Sequence, residues 1–436
     1  MGSEPGSWPG ESGSGDQGDL HQPAHARSQE APAGRISAEE PGAAPARAGK
    51  TRRRRRIVLW VSGVAAACVA VAGATAYLGY RHLNGNLHVR NIGGLVGPQP
   101  VNVHPRAENI LVIGSDSRAG TTGYGSSHVY TTAQSDTMMI VHIAASRKWA
   151  EVVSIPRDSW VHIPSCDVGN GHKSEPTDFK INESFATGSL HGDQATGAAC
   201  TIKTLELNTG LRIDHFVAVN FAGFKDMVDA LGGVEVCTRQ PIADQKAKLY
   251  LPAGHHLLMG PQALAYVRAR YSIGNGSDLE RIGRQQAFMS SLASRAKSEL
   301  YNPVAIYRFL DAATKSITID SGLGGITGLY NLAGKLRSMP TSDLEFITVP
   351  TYPRSLVDPT DTANVMWQEP QTTAIFSSLR DDVPWGSVAA GQPAGTHGAT
   401  PQVSPAQSAA SGAQATPSPR PSVTVTTRTA SQNICS

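Results

Sequence analysis

The chain has 436 residues, 40% of them hydrophobic and 17% charged, with a formal net charge of +3. That length holds one large or two ordinary domains. So small a net charge excludes the broad basic surface of a nucleic-acid binder, and the positive charge that exists is local.

The first fifty residues are mainly Gly, Pro, Ala, Ser and Glu with one aromatic, Trp8, which is too little apolar surface to offset chain entropy. With the basic block Arg52–Arg56 they read as a disordered tail, 1–56. Ile57 to Tyr80 follows without a charged residue, long enough to cross a hydrocarbon core of about 30 Å. Ala74-Thr75-Ala76 resembles a signal cleavage site, but the basic block lies too deep in the chain for a short signal peptide, so 57–80 is expected to be an uncleaved anchor. Basic residues stay on the cytoplasmic side, which puts the N-terminus inside and everything from Arg81 on outside the cell membrane. Residues 81–106 read as a tether.

Asn109 to Ile113 is a short apolar run ending at Gly114, the pattern of a buried strand entering a loop that carries Asp116 and Arg118. Ser135-Asp136 precedes a second strand, Thr137 to Ile143, and Ala150 to Ile155 is a third, ended by Pro156 and followed by Arg157-Asp158. Carboxylates at adjacent strand ends can share a hard cation such as Mg²⁺; Asp116 and Asp136 could equally close turns on their own backbone. Lys180 comes from a loop at 179–182. Ala195 to Asn208 reads as a helix with Gly210 past its end, Ile213 to Asn220 as a strand, Phe221 to Leu231 as an amphipathic helix, and Val234 to Cys237 as a strand.

The run Tyr266 to Gln286 concentrates positive charge beside apolar sequence. Arg268 and Arg270 stand two apart, so in an extended backbone their guanidinium groups share one side. Ser277 with Glu280 forms a capping box that opens a long helix, on which Arg281 and Gln285 share a face. Planar, permanently charged guanidinium groups on neighbouring elements suit phosphate oxygens, although each could serve as an ordinary salt-bridge partner. Helix and strand alternate through Val304–Ala313, Ser316–Ile319, Ile326–Leu336 and Leu344–Val349, and from about Gly386 the chain is a Pro, Ser and Thr-rich tail. The order of elements argues α/β layers.

Cys68 lies in the apolar span, leaving Cys166, Cys200, Cys237 and Cys435 for an oxidising compartment. Four cysteines allow three connectivities, and spacing does not choose among them. No zinc-binding spacing, phosphate-binding glycine loop or internal repeat is present.

Seven segments in order, NILVIGSDSR, QSDTMMIVHI, VVSIPRDSWVHIP, KINESFATG, IDHFVAVNFAGFKDMVDALGGVEVC, ALAYVRARYS and DLERIGRQQ, resemble the LytR-CpsA-Psr family of cell wall glycopolymer ligases, with an actinobacterial flavour in the Ala, Gly and Arg-rich composition. The resemblance is dense from Glu108 to Ala296 and looser to about Leu379. It implies an α/β fold, a three-layer αβα catalytic domain over 107–380 with a central mixed sheet, preceded by one transmembrane helix and followed by a tail, 381–436. It also implies a Mg²⁺-dependent phosphotransferase, with Mn²⁺ as an alternative ion, that moves a glycopolymer of the teichoic acid kind from a polyprenyl pyrophosphate carrier to peptidoglycan, with weak pyrophosphatase activity as a side reaction. The metal aspartates fall on Asp116 and Asp136. The pyrophosphate-holding residues fall on Arg157, Arg268, Arg270 and Arg281, with Gln285 beside them, and with Lys180 and Arg118 as further cations. Asp116, Asp136 or Asp158 would help deprotonate the acceptor hydroxyl.

Two departures stand out. Gln134 occupies a position where the family usually has Arg, so a phosphate contact is lost or must come from elsewhere, Arg118 being a candidate. The segment Ala253 to Leu257 lacks the cysteine that related sequences often place there, which suggests Cys166 paired with Cys200 and Cys237 with Cys435. The competing class is a non-catalytic binder or sensor of lipid-linked precursors, which would keep the arginines without needing the aspartates. A transcriptional regulator would need a cytoplasmic basic surface beyond the short N-terminal tail.

Overall fold

The computed structural model describes residues 48–115, 134–269, 278–299, 302–389 and 425–429. The chain divides into two compact units, Met1–Val69 and Ala70–Ser436. In the first, the described residues are helical from Ala48. That helix continues into the second unit and ends at Asn86, and within it Arg52–Asn86 is long and apolar enough to cross a membrane.

The second unit is built on one eight-stranded sheet. Its strands in chain order are β1 (His88–Arg90), β2 (Glu108–Ser115), β3 (Ser135–Ile143), β4 (Ala150–Ser154), β5 (His215–Asn220), β6 (Ile317–Asp320), β7 (Leu344–Thr348) and β8 (Thr427–Thr429). In space they run β1-β6-β5-β2-β3-β4-β7-β8. β2 pairs parallel with β5, and β4 parallel with β7, while β3 lies antiparallel between β2 and β4. Strands β2, β4, β5 and β7 therefore all end at the same edge of the sheet. This is the expected mixed sheet.

Period-2 alternation along β2 sends Leu111 and Ile113 to one face and Ile110 and Val112 to the other. The first pair joins Ile140, Val153, Phe216 and Ile347 against the helices Asn182–Gly188, Gln194–Thr209 and Gln371–Arg380, through Phe185, Ile202, Leu205 and Phe376. The second packs on Leu332 and Leu336 of the helix Gly325–Arg337 and on Met289 of the helix Asp278–Ser298. The result is three layers, αβα. A smaller apolar cluster beside them gathers Val228, Val234, Leu258, Tyr266 and Phe288 around the hairpin of Val234–Thr238 with Gly254–Leu258.

Local chemistry sets the helix ends. Asp193 accepts from the backbone N–H groups of Ala195 and Thr196 while the Thr196 hydroxyl accepts from Asp193 N–H, a reciprocal cap. Gly210 closes that helix in the left-handed conformation, φ 66°, as expected from the sequence. Gly223 in the helix Phe221–Ala230 approaches Ser316 so closely that an added Cβ would lie 1.7 Å from the serine Cβ, so only glycine lets this helix pack on Pro303–Ser316.

Four sequence expectations need correction. The segment 81–106, expected as a tether, supplies an edge strand, because the backbone of His88–Arg90 pairs in parallel with β6. Lys180 ends the strand Thr177–Lys180, paired with Trp160–Ile163, and is followed by a helix that the sequence reading missed. Arg268 is the last residue of the helix Gly260–Arg268, which has Pro261 in its first turn, so it does not leave an extended strand. The Pro, Ser and Thr-rich tail returns to the sheet as β8, whose backbone satisfies the open edge of β7. Cys166 and Cys200 are bonded. Cys237 is also disulfide-bonded, and its suggested partner Cys435 lies outside the described residues.

One feature of the sheet is polar. Asn109, His142, Glu151 and Glu345 stand opposite one another on β2, β3, β4 and β7. His142 Nδ1 lies 2.7 Å from Asn109 Oδ1 and its Nε2 3.1 Å from Asp382 Oδ1, and Glu151 Oε1 accepts from Trp385 N–H at 2.6 Å. Burial pushes the Glu151 carboxyl up to about 7, opposed by the Trp385 N–H and reinforced by Glu345. The folded state thus holds this proton where the unfolded chain, with its ordinary value of 4.5, has released it, so this contribution to stability is present at low pH and is lost as pH rises from about 4.5 to 7. Glu151→Gln keeps an oxygen for Trp385 and removes the titration. It should leave the melting temperature near pH 4.5 unchanged and raise it at pH 8, by an amount corresponding to roughly 3 kcal/mol at most, as read from thermal unfolding across that range.

Candidate active site at one end of the sheet

The shared end of β2, β4, β5 and β7 gathers the charged residues. β2 and β3 pair in register up to Gly114↔Thr137, and the next pair is Ser115↔Ser135, so Asp136 is the extra residue of a β-bulge. A bulge re-aims a side chain at a strand end. Asp136 Oδ1 accepts a hydrogen bond from Arg157 Nη1 at 2.7 Å, with both side chains 22% exposed, and Arg157 Nε lies 3.5 Å from Asp158 Oδ2. Arg157 is carried there by β4: Ile155 N–H donates to Met138 O, and Pro156 ends the strand.

The segment after Lys180 is stitched to the Arg157 loop, with Ile181 N–H donating to Ser159 O at 2.7 Å and Asn182 N–H to Arg157 O at 3.2 Å. Lys180 Nζ lies 5.8 Å from the centre of the Phe179 ring. Around this loop three buried polar atoms, Ser135 Oγ, Ser159 Oγ and Asn182 Oδ1, have no hydrogen-bond partner among the described residues. An unmet buried polar atom costs about 1–3 kcal/mol, so three around one ion pair mark a place where a ligand or solvent has something to complete.

The second wall is the helix Asp278–Ser298. Its Gln286 is buried and donates to Ser154 Oγ at 2.9 Å, Thr348 Oγ1 at 3.1 Å and Ile347 O at 3.3 Å, which fixes the helix to the ends of β4 and β7. Gln285 Nε2 donates to Val267 O at 3.0 Å, and Arg284 donates to Ala269 O, so the same turn grips the end of the Arg268 helix. Arg281, one turn earlier than Gln285, is buried. The Arg268 guanidinium sits 5.0 Å from the centre of the Phe221 ring, where β5 passes into its helix.

The structure thus brings Asp136, Arg157, Asp158 and Lys180 to the ends of β3, β4 and the strand Thr177–Lys180, and ties Arg268, Arg281 and Gln285 to the same end through Gln285 and Gln286. Asp116, Arg118 and Arg270 lie outside the described residues, as does Ser277 of the expected capping box. Gln134 stands half-buried just before β3.

Three contributors were not read from the sequence. Gln286 was given no role, although its position four after Ile282 places it on the helix face that turns to the core. Phe221 was read only as the first residue of an amphipathic helix. Arg428 comes from β8, opposite Phe346, and lies within electrostatic reach of Tyr266. Burial pushes the Tyr266 phenol above its ordinary range against the pull of Arg284 and Arg428, and burial also lowers the Arg428 guanidinium below its ordinary value.

The sequence pattern of the LytR_cpsA_psr family matches residues 97–380 of this chain. The chain belongs to that family. The LytR_cpsA_psr domain is similar to the cell wall biosynthesis protein LcpA of Corynebacterium glutamicum, 32% identical over 318 residues, which are 67% of this chain and 58% of LcpA. The chain therefore spans well under two thirds of that relative. It is also 28% identical over 313 residues, 68% of this chain and 89% of the relative, to the Bacillus subtilis protein TagT, named a polyisoprenyl-teichoic acid–peptidoglycan teichoic acid transferase. Among solved structures, protein gbs0355 of Streptococcus agalactiae shares the fold with a TM-score of 0.51 at 19% identity, covering 65% of this chain and 91% of that one.

Among the described residues, no group of three or more His, Cys, Asp or Glu could hold a metal ion. Asp136 alone still suits a hard divalent cation, which takes one or two protein carboxylates and completes its shell with phosphate and water.

Gln286→Leu would strip three hydrogen bonds and leave the buried Ser154 and Thr348 hydroxyls without Gln286 as donor. Thermal unfolding of the full chain in detergent should show a loss of about 2–4 kcal/mol, whereas Gln286→Glu, which keeps the shape and removes the amide donor, should fall between.

Proposed function

We propose that the chain is a membrane-anchored phosphotransferase, its domain outside the membrane, that transfers a glycopolymer from a polyprenyl pyrophosphate carrier to peptidoglycan during cell wall assembly. The observation that carries this reading is the convergence of Asp136–Arg157, Arg268 and Arg281 on one end of a buried sheet, beside buried polar atoms that have no hydrogen-bond partner among the described residues. Membership of a family that includes LcpA and TagT supports it.

In this reading the arginines hold the pyrophosphate. A guanidinium about 4 Å from a phosphate oxygen gains a gross attraction of roughly 4 kcal/mol at an effective dielectric near 20, and several such groups fix the donor in one orientation. The acceptor hydroxyl attacks the phosphorus next to the sugar. A new P–O bond forms, the bridging P–O bond breaks, and polyprenyl phosphate leaves with the bonding electron pair, its charge met by Arg157 and Arg268. Asp158, 3.5 Å from Arg157 and half-buried, or Asp136 takes the hydroxyl proton. Asp136 and Asp116 would hold Mg²⁺ or Mn²⁺, which when bound offsets phosphate charge as a Lewis acid. Arg270, Lys180 and Gln285 complete the donor site. If water replaces the acceptor, the same residues give slow pyrophosphate hydrolysis.

The full chain in detergent, given a lipid-pyrophosphate-linked sugar, peptidoglycan fragments and Mg²⁺, should form linked product and release lipid phosphate. Asp136→Ala and Arg268→Ala should each lower turnover by at least about 100-fold, the loss typical of removing one charge-stabilising group. Tight donor binding with no turnover, unaffected by Asp136→Ala, would reverse the assignment in favour of a binding protein.

A further inference from the structure

The end of the long N-terminal helix is clamped against the helix Pro303–Ser316, and the contacts give their relative direction. An added Cβ on Gly79 would lie 3.7 Å from the Tyr307 ring. One turn on, His82 Nε2 lies 2.9 Å from Asp311 Oδ1, and Asn86 Nδ2 donates to the same oxygen at 3.2 Å. As the first helix runs on from Gly79 to Asn86, its partner runs on from Tyr307 to Asp311, so the two ascend together.

The uncharged run ends at Tyr80, followed by Arg81. Tyr307 therefore stands level with the last turn of the apolar run, and Val304, three residues earlier, is about 4.5 Å further back towards the span at a rise of 1.5 Å per residue. Both are exposed, Val304 by 58% and Tyr307 by 44%, whereas Ile306, Phe309 and Leu310 of the same helix are half-buried. Tyr77 and Tyr80 are exposed on the neighbouring helix, and Arg308 is exposed next to Tyr307. Tyrosine bodies with basic groups at one level form the pattern that settles at a membrane–water interface, with rings among the headgroups and guanidinium groups at the phosphates.

We propose that the N-terminal turn of the Pro303–Ser316 helix is seated in the bilayer surface, with Val304 and Tyr307 in the interface and Arg308 on lipid phosphate, forming a second membrane contact of the extracytoplasmic domain beside its anchor. The occupant of this face is lipid because the face continues the apolar surface of the span itself. The inference rests on the reading of 57–80 as a membrane span, and it is independent of the transferase chemistry.

The test uses the full chain carrying Cys68→Ser, since Cys68 is the one free cysteine among the described residues. A single cysteine is then placed at Val304, at Val64 within the span, or at Leu207, an exposed residue of the Gln194–Thr209 helix. Each is labelled with an environment-sensitive fluorophore in vesicles of phosphatidylcholine and phosphatidylglycerol. Nitroxide lipids and aqueous iodide serve as the two quenchers. Val304→Cys should be quenched by the nitroxide lipid and shielded from iodide, and Leu207→Cys the reverse. Adding Arg308→Glu should weaken lipid quenching at position 304. If position 304 behaves like position 207, or is shielded from iodide without lipid quenching because protein covers it, the proposal fails. If Val64→Cys also escapes the lipid quencher, the span reading fails with it, and the two failures are thereby distinguished.

Discussion

The ion pair between Arg157 and a bulged Asp136 is the constraint on which the functional end of the sheet depends. A half-exposed pair of this kind contributes at most about 1 kcal/mol to stability, so its significance lies in position. It anchors the first of several guanidinium groups at a place where burial would otherwise penalise each. Arg268 leans on the Phe221 ring, Arg284 on the Ala269 carbonyl, and Arg281 is buried. Cations gathered this way repel, and the fold offsets that repulsion with ring faces and carbonyl oxygens in addition to carboxylates.

The same end of the sheet shows why a glutamine can matter as much as an arginine. Gln286 reaches three acceptors on two strands while its neighbours Arg284 and Gln285 hold the backbone of residues 267–269. Three consecutive side chains on a helix point in different directions, so a single turn couples the strand ends to the Arg268 helix. Placement of the arginines is thereby set by hydrogen bonds to backbone oxygens, which are less tolerant of displacement than contacts between flexible charged side chains.

Much of this was legible in the sequence, and the rest was hidden for identifiable reasons. Apolar runs such as NILVI and caps such as Gly210 are local signals, and the elements they mark stand where the sequence puts them, to within a residue or two. Arg268 was misread as extended because a short helix started by Pro261 carries the same apolar residues as a strand. Edge strands β1 and β8 are three residues each and gain their place from backbone pairing with β6 and β7, a long-range fact that composition does not carry. Glu151 drew no notice within the strand Ala150 to Ile155, yet it is almost wholly buried in a row with Asn109, His142 and Glu345 that only the register across four strands creates. Asp136 and Arg157 were legible as strand-end charges, but the bulge that turns one towards the other was not.

Edge strand β1 also changes what the connection to the anchor does mechanically. A tether of 26 flexible residues would let the domain sample a wide range of heights above a bilayer. Here a single residue, the buried Leu87, separates the helix ending at Asn86 from β1, and β1 is hydrogen-bonded into the sheet. Leu83 and Leu87 pack with Ile317, Ile319 and Ile326, while Asp311 takes His82, Asn86 and Lys315. The last turns of the helix are thus part of the domain core. A connection of this sort is no free leash: the residues that lead into β1 are themselves held by packing and by the sheet.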